Sequence, residues 1–242
     1  MAVFKAIKDI QKQLQIDGFY QGHLDGIQGA ITQEGIRKAI ESGKYKIDFD
    51  FSLFKSLFNK KTIDQKFVDA LNSLFKIFNE FNTYDGTNPL YISYMLATAW
   101  HETAYTMLPI KEYGSDTYFS KYGRGELAKR LGNNSVAEGI LYAGRGHVMI
   151  TGKANYRKFS LLLGIDLVGN PRLALDPVTS AKILTIGSLR GSFTGKKLSD
   201  YIRRGDRLEY VSARRVINGN DDALEIALHA EKFIQCITIK KV

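Results

Sequence analysis

The chain has 242 residues, of which 44% are hydrophobic and 24% charged, and this composition excludes disordered, collagen-like and low-complexity proteins. Its 34 basic and 25 acidic side chains give a net charge of +9, which favours polyanionic partners such as nucleic acid, a membrane surface or an anionic polysaccharide. The apolar run from Leu96 to Trp100 is far shorter than the ~20 residues that span a bilayer, so we expect a soluble protein.

The cysteine content and the first residues bear on where the protein is made. Cys236 is the single cysteine, which excludes an internal disulfide and a thiolate zinc cluster. The start from Met1 to Lys5 lacks the long apolar core of a signal peptide. We therefore expect synthesis in a reducing cytoplasm. We also expect a monomer that needs no metal and no other cofactor.

The first helix is predicted over residues 4–16 by apolar side chains at spacings of three and four. These are Phe4, Ile7, Ile10 and Leu14. A glycine-rich turn from Gly18 to Gly29 ends this helix, and a second apolar stripe begins at Thr32. The pattern predicts a small unit of two or three short helices around glycine turns.

The residues of this unit form a recognisable motif. The pattern consists of Ile10-Gln11, Leu14, Gly18-Phe19-Tyr20, Gly22, Asp25-Gly26, Gly29 and Thr32. Over residues 3–42 it resembles the three-helix module found on cell-wall hydrolases. The resemblance implies wall binding through Tyr20, Asp25 and Gly26, although that module's usual Phe-Gln ending is replaced by Ala39-Ile40-Glu41. A helical cap that binds no ligand is the alternative.

The remaining chain is predicted to be a larger helical domain over residues 62–242, joined to the module at 1–48 by a Lys- and Phe-rich linker at 49–61. Apolar periodicity predicts helices at 62–78, 89–104, 153–163, 177–189, 207–216 and 221–237. Thr62 fits a capping box, and Asn88 fits an N-cap. No long run alternates as a strand does. The predicted fold class is therefore all-α, with at most a small hairpin.

Two carboxylates are candidates for acid–base chemistry. Glu102 ends the apolar helix, where low dielectric and the negative helix pole disfavour ionisation, so we expect a raised pKa and a general acid. Pro109 predicts that the chain then leaves the helix and can fold Glu112 back towards Glu102. A gap of about 6.5–9.5 Å between them would hold the water of an inverting glycosidase. The alternatives are a structural ion pair with arginine for Glu102 and a solvated loop charge for Glu112.

A third candidate segment runs from Tyr142 to Tyr156. Its glycines at 144 and 146 allow the backbone to approach a ligand closely. Thr151 and Asn155 are four residues apart, so their polar groups can share one face at the start of a helix. Ordinary capping of that helix by Thr151 is the alternative.

These three segments together resemble the family 19 glycoside hydrolases, whose chitinase-like fold occurs in plant chitinases and in many bacteriophage endolysins. The residues that carry the resemblance are His101-Glu102-Thr103, Glu112, Tyr142, Gly144-Arg145-Gly146, Thr151, Asn155-Tyr156, Asn170-Pro171, 191–198 and 213–219. It extends over about residues 60–237. It implies a lysozyme-like helical fold and inversion at the anomeric carbon.

Residue roles also follow from the resemblance. Glu102 is implied to be the proton donor, Glu112 the base that activates water, and Thr151 the residue that orients that water. The implied substrate-binding residues are Tyr142, Arg145, Asn155 and Asn218. Either Arg214 or Arg215 is expected to tune Glu102 electrostatically. Met149 stands where this family commonly has a glutamine.

Other classes fit the sequence less well. His101-Glu102-x-x-Tyr105 lacks the second histidine of a zinc-protease motif. The stretch 123–128 imitates a dinucleotide fingerprint, but no buried strand precedes it. Basic residues are dispersed and no recognition helix is apparent, so we expect no nucleic-acid partner.

The predicted function is that of an endolysin, a muramidase-type glycosidase that hydrolyses β-1,4 bonds in peptidoglycan. Its charge also fits anionic outer-membrane lipopolysaccharide. We expect it to be made in the host cytoplasm and to reach the wall in the periplasm after the membrane has been permeabilised. A chitinase that acts on chitin oligomers and a wall-binding protein without catalysis are the alternatives.

Overall fold

The computed structural model describes residues 2–82 and 85–242, and this part of the chain contains twelve α-helices and four short strands. The strands form two antiparallel sheets of two strands each. The predicted mostly helical class is thereby confirmed. Within the described ranges, no helix has both the length and the apolar character that a membrane span requires.

The N-terminal segment contains two α-helices, where the expected module has three. Helix α1 (Ala2–Ile16) buries the predicted apolar stripe except for Phe4, and helix α2 (Ala30–Glu41) follows an irregular turn. Strand β1 (Tyr45–Phe49) comes next and pairs with strand β4 (Ile237–Lys241) at the other end of the chain. The N-terminal segment is therefore tied to the last residues by a backbone ladder.

A buried amide organises the glycine-rich turn. Gln11 is fully buried, and its Nε2 donates to Asp25 Oδ1 at 2.9 Å and to Thr32 Oγ1 at 3.0 Å. The Gln11 Oε1 accepts the Gly26 backbone N–H at 2.9 Å. Gly26 has φ +73, and a Cβ there would lie 2.3 Å from the Phe4 carbonyl oxygen, so only glycine fits.

Residues 49–61, predicted as a linker, are packed against the helical body. Asp50 caps helix α3 (Phe51–Leu57) by accepting the Leu53 N–H. The Phe54 side chain is buried, and its ring lies 4.9, 5.7 and 5.9 Å from Phe67, Trp100 and Phe233, respectively. This segment belongs to the core instead of joining two separate bodies. The division of the chain at residues 48 and 62 stays a prediction.

The core is built around one helix that is apolar on nearly every side. Helix α5 (Pro89–Glu102) begins at the predicted N-cap Asn88, and every residue from Pro89 to Trp100 is buried. Helix α4 (Gln65–Glu80) is capped by Asp64, whose carboxylate accepts the Phe67 N–H, so Thr62 is not the cap. The predicted helix at 177–189 is observed as helix α10 (Pro177–Arg190), and it packs against α4 and α5.

The remaining elements surround this core. They are β2 (Ile110–Lys111), α6 (Asp116–Phe119), α7 (Gly125–Leu131), α8 (Val136–Leu141), β3 (Arg145–Gly146), α9 (Lys153–Leu163), α11 (Arg207–Ala213) and α12 (Ala223–Cys236). The predicted helix at 207–216 is shorter, because α11 tightens into a 3₁₀ turn at Arg214–Val216. Strands β2 and β3 pair antiparallel, and α12 packs against α5, α11 and α1.

Replacing Phe54 tests whether residues 49–61 belong to the core. Because Phe54→Ala leaves a cavity among three aromatic rings, we expect the free energy of unfolding to fall by about 3–5 kcal/mol in urea denaturation. Ser52→Ala, on the exposed side of the same helix, is the matched control. A loss no larger than that of the control would mean that this segment is not packed.

Candidate active site

Glu102, the predicted proton donor, is the last residue of the buried helix α5. Its Oε1 lies 2.8 Å from Nη1 of Arg214, and the two side chains are 18% and 4% exposed. The contact is an ion pair, since the guanidinium N–H is not aligned as a hydrogen bond. Arg215 is exposed, so Arg214 is the arginine that faces Glu102.

Glu112, the predicted base, follows strand β2 directly and continues its pairing. The Glu112 backbone N–H donates to the Gly144 carbonyl at 2.8 Å, and Glu112 Oε2 accepts the Gly144 N–H at 3.1 Å. Glu112 Oε1 accepts the Tyr122 hydroxyl at 2.6 Å. Burial, followed by this hydrogen bond to Glu112, raises the pKa of Tyr122. Tyr122 therefore keeps its proton and holds the carboxylate in one orientation.

Thr151 lies beside Glu112. A Cβ at Gly144 would be 3.0 Å from Glu112 Oε2 and 3.2 Å from Thr151 Oγ1, so both side chains lie close to this glycine. Thr151 Oγ1 donates to the Met149 carbonyl at 2.9 Å. Gly152, at φ +89, is the N-cap residue of α9, so the alternative in which Thr151 caps this helix is wrong.

Four of the predicted polar residues line one cleft of about 260 Å³. They are Glu102, Thr151, Asn155 and Asn218. The cleft walls are the apolar side chains Leu131, Val148, Met149, Ile150, Phe193 and Ile217. Asn155 Nδ2 donates to the Thr151 carbonyl at 2.8 Å, which orients the amide. Glu112 does not line this cleft itself and lies close to Gly144, as does Thr151, a residue that does line it.

Tyr142 and Arg145, predicted to bind substrate, lie inside the fold. Arg145 Nη1 donates to the Leu141 and Ala143 carbonyls at 2.8 and 2.9 Å. The Tyr142 hydroxyl donates to the Val168 carbonyl at 3.1 Å. Neither residue lines the cleft, because both are buried with their polar groups turned to backbone carbonyls. Both residues anchor the segment that carries Thr151, and their contact with substrate stays a prediction.

A buried histidine that the sequence did not single out supports the site. His147 accepts a hydrogen bond from the Ser180 hydroxyl at Nδ1 (2.7 Å) and donates from Nε2 to the Met107 carbonyl (3.0 Å). Burial lowers the pKa of His147 to about 4, so the ring is neutral at pH 7. Met107 lies in the segment between Glu102 and Glu112. In this segment the backbone is left-handed at Ala104 (φ 50) and at Met107 (φ 60).

The predicted wall-binding residues occupy internal positions of the N-terminal segment. Tyr20 is buried, and its hydroxyl donates to the His23 carbonyl. Asp25 and Gly26 bond to Gln11, as described above. Their contact with the cell wall stays a prediction. Among residues 2–82 and 85–242, no group of three or more His, Cys, Asp or Glu side chains could hold a metal ion.

Comparisons with known proteins define the fold. No family model and no curated protein matches the chain. A solved structure of a chitinase C mutant is similar, with 20% identity, 77% of this chain and 90% of that chain covered, and a TM-score of 0.50. The chain therefore shares the mostly helical fold of this chitinase.

Two further solved structures are similar at lower TM-scores. Chitinase C from Streptomyces griseus is 18% identical, with 74% of this chain and 72% of that chain covered and a TM-score of 0.48. A bacterial family 19 chitinase is 18% identical, with 76% of this chain and 92% of that chain covered and a TM-score of 0.46.

The buried neutral His147 predicts a pH dependence of stability. Its pKa is about 4 in the folded chain and 6.5 in its ordinary state. Between these values the unfolded chain binds a proton that the folded chain does not. The free energy of unfolding should therefore fall by about 2 kcal/mol from this group when the pH is lowered from 7 to 5.

Urea denaturation at both pH values, with wild type compared to His147→Gln, measures this contribution. The carboxylates titrate in both proteins, so the difference between the two pH profiles isolates His147. His23→Gln, at an exposed position, is the control and should keep the wild-type profile. An unchanged profile in His147→Gln would contradict a neutral, buried histidine.

Proposed function

We propose that the protein is a glycosidase that hydrolyses β-1,4 bonds of peptidoglycan by an inverting mechanism with two carboxylates. One observation carries this proposal. Glu102, Thr151, Asn155 and Asn218 line a single cleft, and Glu112 and Thr151 both lie close to Gly144. Carboxylates, a hydroxyl and amides are the groups that this chemistry needs for proton transfer, for holding water and for binding sugar.

Glu102 acts as the general acid in the proposed reaction. In its protonated form it gives a proton to the glycosidic oxygen as the bond from that oxygen to the anomeric carbon breaks. This step returns Glu102 to the carboxylate form, and the Arg214 guanidinium at 2.8 Å stabilises its negative charge in the ion pair described above. Arg214 is itself fixed, because its Nε donates to the Asp221 carbonyl at 2.9 Å.

Glu112 acts as the general base. Water held near Thr151 attacks the anomeric carbon from the face opposite the leaving group, and Glu112 takes the proton of that water. Tyr122 and the Gly144 N–H both donate to the Glu112 carboxylate, so its position is set before substrate binds. The amides of Asn155 and Asn218, which line the same cleft, hydrogen bond the sugar in this proposal.

The choice of peptidoglycan over chitin rests on charge and on the N-terminal segment. A net charge of +9 favours the anionic bacterial wall over an uncharged polysaccharide, and residues 3–42 resemble a wall-binding module. The second candidate is a chitinase, which the names of the similar solved structures favour. An uncharged polymer gains nothing from the basic surface, and for this reason we place peptidoglycan first.

The proposal extends to the biological role. We place the protein among bacteriophage endolysins, made in the host cytoplasm and acting as a monomer on the wall after the membrane has been permeabilised. The basic surface would also hold it to anionic lipopolysaccharide. The alternative is a wall-binding protein without catalysis. Such a protein would bind sacculi but release no sugar.

Substituting Glu102 tests the general acid. Glu102→Gln keeps an acceptor beside Arg214 but carries no proton to donate, so release of reducing ends from purified sacculi should fall at least about 100-fold. Glu126→Gln, at an exposed position on α7, should keep full activity. Thermal unfolding should show that both variants fold. A folded Glu102→Gln protein with undiminished activity would remove Glu102 from the mechanism.

Substituting Tyr122 tests how Glu112 is held. Tyr122→Phe deletes one of two hydrogen bonds to a charged group, so kcat should fall about tenfold with little change in KM. Tyr113→Phe is the control, because Tyr113 is fully exposed close to Glu112 in the chain. Equal kcat values for the two variants would show that Tyr122 does not position the base.

Product analysis separates the two candidate substrates. Mass spectrometry of digested sacculi should show fragments with a sugar at a new reducing end, and that sugar identifies the bond that was cut. Intact glycan strands with cleaved peptides would instead indicate an amidase or a peptidase. Hydrolysis of chitin oligomers without any action on sacculi would select the chitinase.

A further inference from the structure

A second groove, of about 440 Å³, lies between the N-terminal segment and the helical body. The start of helix α2 forms one side, with Gln28, Gln33 and Arg37. The start of helix α5 and a later loop form the other side, with Tyr91 and Arg203. None of its lining residues lines the cleft of Glu102, so the two are separate sites.

Gln28 lines this groove and contains an acceptor atom without a partner. The residue is only 9% exposed, and its Nε2 donates to Gln33 Oε1 at 2.7 Å. Its Oε1 is buried and has no hydrogen-bond partner. A buried polar atom without a partner costs about 1–3 kcal/mol, and a ligand that brings an N–H or O–H donor recovers this energy.

Unused donors lie next to this acceptor. Helix α2 begins after Gly29, a residue without a side chain, and no side-chain cap bonds to the first turn. The backbone N–H groups at Ala30, which lines the groove, and at the following Ile31 therefore have no side-chain capping acceptor, and the N–H of Ala30 can bind a ligand oxygen. The groove thus offers one acceptor and a set of donors side by side, which is the complement of a secondary amide.

The charges of the groove cancel. Arg37 is paired with Glu34 and Glu41 on its own helix at 2.6 Å each. Among the lining side chains, the positive charges of Arg37 and Arg203 are balanced by Glu34 and Asp85. Such a groove favours an uncharged polar ligand over a phosphate or a carboxylate.

Tyr91 adds an aromatic surface and a donor to the opposite wall. Burial raises the pKa of Tyr91 to about 12, so its hydroxyl keeps its proton at neutral pH. Its ring can contact an apolar face of a ligand, and its protonated hydroxyl can donate to a ligand oxygen.

The two sides of the groove are held together by side-chain hydrogen bonds. Asn82 Nδ2 donates to the Arg37 carbonyl at 3.2 Å, and Gln33 Nε2 donates to Thr87 Oγ1 at 3.4 Å. The Thr87 hydroxyl in turn donates to Asn82 Oδ1 at 2.7 Å. The groove is therefore formed before any ligand arrives, which lowers the entropic cost of binding.

We propose that this groove binds a secondary amide carried by a cell-wall polymer, with Gln28 Oε1 accepting the amide N–H and the start of helix α2 donating to the amide oxygen. The acetamido group of a glycan strand and a peptide bond of the stem share this chemistry. The inference rests on the proposed function only for the polymer that carries the amide. In this arrangement the wall contact lies at Gln28 instead of at the internally bonded Asp25 and Gly26.

The test is a titration of the full chain followed by amide-resolved NMR. The two probes are the N-acetylglucosamine dimer and the free, uncrosslinked stem peptide. We expect one of them to shift the backbone N–H signals of Ala30 and Ile31. Gln28→Met should weaken binding at this set of signals about fivefold, the equivalent of one lost hydrogen bond, while signals from the Glu102 cleft respond as in wild type.

Gln21→Met, at an exposed position in the same turn-rich segment, is the matched control and should bind like wild type. Binding should also be insensitive to ionic strength, which would not hold for an anionic ligand. The response to each probe decides whether the amide belongs to the glycan or to the peptide.

Two results would overturn the inference: neither probe shifts the α2 signals at millimolar concentration, or Gln28→Met binds as tightly as wild type. The hydrolysis assay is independent of this outcome. Gln28→Met should cleave short soluble substrates at the wild-type rate. A protein that binds an amide here but releases no sugar would refute the proposed function while leaving the groove intact.

Discussion

The ion pair between Glu102 and Arg214 is the interaction on which the candidate site depends. It joins the end of the buried helix α5 to the turn after α11, two elements that are far apart in the chain. Because the guanidinium is almost completely buried, it needs a carboxylate partner, and the loss of that partner leaves an isolated buried charge. The same contact therefore fixes the helix end and aims the carboxyl group into the cleft.

A second constraint places the other carboxylate. Strands β2 and β3 have only two residues each, yet their pairing brings Glu112 next to Gly144 and Thr151. The segment between Glu102 and Glu112 contains left-handed backbone at non-glycine residues, and it is held by a neutral histidine. The backbone position of Glu112 is thus set by hydrogen bonds made outside the cleft.

Sequence patterns predicted the helices in which an apolar repeat continues over several turns of one segment. Helix α5, its cap at Asn88 and helices α9 and α10 lie where expected, and the signatures at 102, 151, 155 and 218 meet in one cleft. Contacts between distant residues left no local pattern: the β1–β4 pairing, the burial of Phe54 and the bond from Ser180 to His147. Arg145 and Tyr142 belong to a matching signature, but their position in the fold turns them inward.

The anomeric configuration of the first product tests the central claim most directly, because it reports whether water attacks from the side opposite the leaving group. Proton NMR of a fresh digest of a defined β-1,4-linked glycan, recorded before mutarotation, resolves the two anomers. The account predicts that the α-anomer appears first, by inversion with water activated by Glu112. Initial formation of the β-anomer would require a covalent intermediate or participation of the substrate, and would contradict the roles assigned to Glu102 and Glu112.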